Sequence, residues 1–113
     1  MTQSICESTR QALELHLPKS VVVKTGSPTN KKIFLAEEAQ IAGASTPRRN
    51  EYATGRSLAH RALIELGHPP RNIINRESLE PEWPQGIVGS ISHCKAVVCV
   101  ALSRSQNLNS IGI

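Results

Sequence analysis

Aspartate is missing from this chain of 113 residues: all nine acidic side chains are glutamate. That removes the commonest carboxylate of a magnesium site. Aromatic rings are nearly missing too, with one Trp, one Tyr and one Phe. A core must then be assembled from Val, Ile, Leu and Ala, and a core that thin is expected to gain from a partner. Few rings also argue against nucleic acid as a ligand, because single-stranded bases need aromatic platforms on a basic sheet. The three cysteines, Cys6, Cys94 and Cys99, are odd in number and lack C-x-x-C spacing, so neither a zinc knuckle nor a disulfide framework is expected. Reduced thiols in a cytoplasmic protein are the expected state. No apolar run approaches the length needed to span a bilayer, and the N-terminus lacks the apolar stretch of a signal peptide.

What is present is positive charge. Thirteen Lys and Arg face nine acids, a formal charge of +4, and six of the eight Arg lie between Arg48 and Arg76. That balance favours an anionic partner such as a phosphorylated ligand or an acidic protein.

The apolar pattern reads as α+β: a small antiparallel sheet packed on one long helix. Residues 1–19 read as an N-terminal arm, a weak helix broken at Pro18. Ser20 to Lys24 carries three valines in a row and reads as a short strand. Gly26 to Lys32 is turn-rich. Ile33 to Gly43 reads as a strand leading into a short helix with Glu37 and Glu38 near its start. The long helix runs from about Pro47 to Leu66, with Thr46 as N-cap and Pro47 at the first helical position. At about 100° per residue, Tyr52, Gly55, Ala59, Ala62, Leu63 and Leu66 share one face. Gly55 would let that face approach a sheet closely, and Gly67 suits the position just past the helix end. Ile87 to Ser92 and Ala96 to Leu102 read as a hairpin turning at His93, Cys94 and Lys95, with runs too continuously apolar for a sheet open to water. Asn109 to Ile113 reads as the start of a further strand, and an apolar end of this kind suggests the front part of a longer protein.

The chemistry-bearing candidates follow from that layout. Arg49 and Arg56 lie seven residues apart, at the edge of the apolar face, where they would reach over the sheet toward the His93 turn. Planar guanidinium forks and an imidazole would together grip a polyphosphate. Ser92 would add a hydroxyl, although strand neighbours point to opposite faces. Arg76 and Lys95 are loop cations near Trp83, itself a loop anchor between Pro81 and Pro84. A solvated basic helix, with His93 satisfied by backbone, is the plainer alternative. His16, His60 and His68 have no partners at metal spacing and read as surface residues; Cys94 and Cys99 read as small core residues.

Two motifs then narrow the field. Arg49-Asn50-Glu51-Tyr52-Ala53-Thr54-Gly55-Arg56 matches a basic-Glu-aromatic-x-x-Gly-Arg helix. Pro81 to Cys94 matches Pro-x-Trp-Pro-x-Gly-x-x-Gly-Ser-x-Ser/Thr-His-Cys at every fixed position, and Ile111-Gly112-Ile113 matches Ile-Gly-Ile/Val before an expected Asp. Over residues 20–113 the chain resembles the N-terminal half of a 4′-phosphopantetheinyl transferase of the surfactin and enterobactin synthase component D type. The resemblance implies one lobe of a two-lobed, pseudo-symmetric transferase, truncated before its metal-binding motif. It implies transfer of phosphopantetheine from coenzyme A to a serine of an acyl, aryl or peptidyl carrier protein in siderophore, polyketide or peptide assembly. Coenzyme A would be co-substrate and magnesium the cofactor. Ser92 and His93 would contact the phosphates, Arg48, Arg49 and Arg56 would lie on the nucleotide side, and Arg76 would reach the adenine or its 3′-phosphate. The metal ligands and catalytic groups would lie beyond Ile113, so the chain by itself is expected to be inactive. Neither membrane nor nucleic acid is an expected partner. A non-catalytic module that binds coenzyme A or 3′,5′-ADP, or an interaction module, is the alternative.

Overall fold

A computed structural model describes residues 20–76, 80–94 and 96–105, the side chain of Cys94 excepted. Three strands and two helices follow one another along it: β1 (Val22–Gly26), α1 (Leu35–Ala39), α2 (Thr46–Glu65), β2 (Ile87–Cys94) and β3 (Val97–Arg104). The strands form one antiparallel sheet in the order β1-β3-β2. β3 lies in the middle, and every residue from Val97 to Ser103 is buried. That is why its sequence runs apolar without alternation: both faces of the strand are covered.

Helix α2 lies across one face of the sheet. Its Leu58, Ala59, Ala62 and Leu63 form a cluster with Ile73, Ile87, Val98, Val100 and Leu102. Each large aliphatic side chain fully buried there contributes about 1.5–3 kcal/mol of transfer free energy, so a core with few rings is still sufficient to order the sheet on the helix. A second cluster joins Ile33 and Ile41 to Tyr52 and Ala53, fastening α1 to the N-terminal half of α2.

Element boundaries refine the sequence reading. The N-cap of α2 is Ser45, whose Oγ accepts from the Arg48 N–H at 3.4 Å; Thr46 is already helical. At the other end Gly67 takes φ +81°, its N–H donates to Ile64 O and the His68 N–H donates to Leu63 O. This paired closure satisfies carbonyls that would otherwise be orphaned and needs a left-handed residue, as expected of Gly67. The strand expected to begin at Ser20 begins at Val22. Ile33 lies in extended backbone ahead of α1, outside any strand. β2 and β3 are longer than expected: His93 pairs with Val98 and Cys94 with Val97, so two residues expected in the turn belong to β2. The pairing continues because the ladder bonds of His93 and Cys94 cost less to keep than to leave unmade beside a buried strand. The expected N-terminal arm (1–19) and the strand expected at 109–113 lie outside the described residues.

Candidate functional site

Gly55 sets the geometry from which the site follows. A Cβ there would stand 3.1 Å from Ile91 Cγ2 and 3.6 Å from Val98 Cγ1, so only hydrogen lets α2 lie this close to β2 and β3. His93 is two residues beyond Ile91 and therefore on the same, helix-facing side of the strand. One turn back from Gly55 on α2 stands Glu51. The two meet: His93 Nδ1 is 3.2 Å from Glu51 Oε2. Arg48, one turn nearer the helix start, has Nη1 3.9 Å from Glu51 Oε1. The carboxylate thus lies between an imidazole and a guanidinium, is less exposed than either (23% against 49% for His93 and 50% for Arg48), and leaves both facing water.

The other site candidates fall elsewhere. Ser92 pairs with Cys99 across the ladder, and strand alternation sends its side chain to the face opposite His93. Arg49 is exposed and lines a hollow with Asn30, Lys31, Ile33, Glu38, Ile41 and Ala53, on the α1 side of the helix. Arg76 is exposed, with its Nε 3.7 Å from Glu82 Oε2. It sits where the 74–76 backbone pairs with 80–82, through Arg76 N–H to Glu80 O and Glu82 N–H to Ile74 O.

Arg56 departs from the expectation that it reaches over the sheet toward the His93 turn. Its Nε donates to Ile73 O at 2.8 Å, its Nη2 donates to Asn75 Oδ1 at 2.7 Å, and its guanidinium stacks on the Tyr52 ring at 4.0 Å. Only 4% of the residue is exposed. Burial lowers its pKa, offset by the neighbouring Tyr52 and Glu37. Five residues along a helix turn a side chain through about 140°, which separates Arg56 from the Glu51 face.

The residue that sequence reasoning missed is Glu37. It is fully buried. Its Oε1 accepts from the Phe34 N–H at 3.1 Å, which is the backward half of a capping box on α1. Its Oε2 accepts from the Ile73 N–H at 2.8 Å and pairs with His60 Nε2 at 2.9 Å. His60 is therefore not a surface histidine: its side chain is 13% exposed, and its ring packs on Phe34 with centroids 4.7 Å apart. Gln40 completes the group, accepting from Tyr52 OH at 2.8 Å and from the Asn75 N–H at 2.9 Å. Glu37, Gln40, Tyr52, Arg56 and His60 thus hold residues 73–75 against the two helices. The only trace in the sequence is local: Glu37 stands three residues after Phe34, and Tyr52 and Arg56 stand at helical i, i+4 spacing.

The 81–94 motif also has a physical basis. Trp83 donates its indole N–H to Gly89 O at 3.1 Å and lies over that glycine. Gly86, at φ +85°, closes a turn in which the Ile87 N–H donates to Pro84 O. Together they deliver β2 in the register that puts His93 beside Glu51.

A sequence model described as the 4′-phosphopantetheinyl transferase N-terminal domain matches residues 36–103. The chain belongs to that family. It is 40% identical over 86 residues to the 4′-phosphopantetheinyl transferase Npt of Nocardia iowensis, covering 76% of this chain and 39% of that protein. It is 42% identical over 80 residues to PptT of Mycobacterium tuberculosis, covering 70% and 35%. Over 72 residues it is 38% identical to enterobactin synthase component D of Escherichia coli O157:H7, covering 64% and 34%. The chain therefore spans between a third and two fifths of the length of these relatives. The elements that shape the site, from all but the first residue of α1 to all but the last of β3, lie within the matched region.

Among the described residues no three His, Cys or Glu side chains come together in a way that would hold a metal ion. Nor is any helix there long and apolar enough to cross a membrane.

Proposed function

We propose that this chain forms the nucleotide-gripping lobe of a 4′-phosphopantetheinyl transferase. In the whole reaction the hydroxyl oxygen of a carrier-protein serine attacks the phosphorus of coenzyme A that is joined to pantetheine. A new P–O bond forms, the bond to 3′,5′-ADP breaks, and the serine proton is lost. Negative charge builds on the departing diphosphate, so fixed donors aimed at it are the natural catalysts. The described residues do not fit a magnesium site.

The observation that carries this reading is the approach of Arg48 and His93 to one carboxylate at the edge of the sheet, both half-exposed to solvent. Arg48 supplies a guanidinium fork and His93 a ring N–H to phosphate oxygens. Arg49 adds positive potential at the start of α2, and Arg76 approaches the nucleotide from the 74–76 segment. Ser92 contributes through the position it gives His93. Arg56, with two donors committed to Ile73 and Asn75, serves the grip by fixing the segment that leads to Arg76. The second, pseudo-symmetric lobe, the carrier protein and a cytoplasmic setting belong to the same reading.

Calorimetric titration of the chain with 3′,5′-ADP tests it. Binding is expected, weakened about tenfold by Arg48→Ala and by His93→Ala, the loss of one charge-assisted hydrogen bond in each case. No heat from the parent chain would reject the reading. Incubated with apo carrier protein, coenzyme A and magnesium, the chain by itself is expected to add no mass to the carrier.

A further inference from the structure

Resting on that reading, we infer that Glu51 is a positioning residue, which sets the imidazole of His93 for the phosphate. Of the three side chains that meet at the end of β2, Glu51 is the least exposed and the only anion. It is held on the second turn of a long helix, whereas His93 lies one residue from the hairpin loop. The carboxylate is therefore the fixed member and the imidazole the one that is placed. Nδ1 is the ring nitrogen nearer Glu51, 3.2 Å from Oε2, which leaves Nε2 for a ligand. Without that contact an exposed histidine near a strand end samples several rotamers, each presenting a different edge to a ligand. A carboxylate accepts and cannot donate, so a ring that turns Nδ1 onto Glu51 is expected to carry its neutral-state hydrogen there. A phosphate oxygen arriving at Nε2 is likewise an acceptor. A ring that donates to both partners needs a hydrogen on each nitrogen.

The weaker approach of Arg48 has a complementary meaning. At 3.9 Å its guanidinium is close enough to Glu51 to be retained nearby, yet far enough to turn toward a ligand. Glu51 thus keeps a donor side chain on either side of it without committing Arg48 to a short bidentate pair.

Two variants separate orientation from charge: Glu51→Gln retains an acceptor oxygen at the same reach, and Glu51→Leu removes it. In the ligand-free chain, imidazole nitrogen NMR shifts at mildly alkaline pH are expected to report His93 with its hydrogen on Nδ1. That signature should be largely kept in Glu51→Gln and lost in Glu51→Leu. Calorimetry with 3′,5′-ADP is expected to show about a tenfold loss for Glu51→Leu and a smaller one for Glu51→Gln. In a His93→Ala background the Glu51→Leu effect should shrink to the part exerted through Arg48, since a positioning residue acts only through the groups it positions. An equal loss in both backgrounds, or a His93 signature indifferent to Glu51, would overturn the inference while leaving the phosphate grip standing. Failure of the parent chain to bind 3′,5′-ADP would instead reject the grip, and the ligand-free NMR arm would still decide whether Glu51 orients the ring.

Discussion

Trp83 covers Gly89. The indole N–H donates to the glycine carbonyl at 3.1 Å, and a Cβ on Gly89 would stand 3.1 Å from the ring, 2.9 Å from Ala101 O and 2.1 Å from Leu102 Cδ2. The tryptophan, the glycine and the central strand thus occupy one another's only available space. Gly89→Ala is expected to destabilise the chain by about 2 kcal/mol or more, because neither the Ala101 backbone nor the buried Leu102 can yield cheaply. Urea unfolding followed by Trp83 fluorescence measures it; an unchanged midpoint would show that the sheet accommodates the methyl group.

Glu37 joins α1 to the segment before Arg76 through one carboxylate. Glu37→Ala leaves the Phe34 and Ile73 amides without their acceptor and His60 without its partner, at a cost of about 3 kcal/mol. Hydrogen exchange at the Ile73 amide is the local readout. Rapid exchange is expected in the variant, and retained protection would mean that another acceptor takes over.

Arg56→Lys keeps the charge but not the planar fork. A lysine cannot reproduce the geometry that holds Ile73 O and Asn75 Oδ1 together while stacking on Tyr52, so the chain should lose about 1–2 kcal/mol. The loss is expected to be the same with and without 3′,5′-ADP. If stability is unchanged and only ligand binding falls, Arg56 is a direct phosphate contact.

Tyr52 gives a test by pH. Burial raises its pKa above the ordinary 10.0, against the pull of the adjacent Arg56. The folded chain therefore holds the phenolic proton more tightly than the unfolded one. Its contribution is fully present below about pH 10 and is lost as pH rises through the folded value. Tyr52→Phe should cost about 1 kcal/mol at neutral pH, the bond to Gln40, and should flatten the alkaline decline. A decline equally steep in the variant would assign it to other groups.

Much of this protein was legible in the sequence because the determining forces are local or periodic. Apolar spacing gave the face of α2 that packs on the sheet, Gly67 its end, and the unbroken apolar run from Val97 the doubly covered central strand. The 81–94 motif carried its own register, since a glycine at a positive φ and another beneath a tryptophan are demands of the backbone itself. Tertiary structure decided what the charged residues do. Arg49 and Arg56, seven apart, looked equivalent, yet one is exposed and the other buried, because Ile73 O and Asn75 Oδ1 arrive from a distant part of the chain to accept from its donors, with the Glu37 carboxylate close enough to favour its charge. His60, placed on the surface by sequence, is drawn inward by the same carboxylate, and Glu51 meets His93 across 42 positions because Gly55 lets β2 come close. A charge in the interior requires partners of opposite polarity at hydrogen-bond distance, and which partners those are is fixed only when the elements pack.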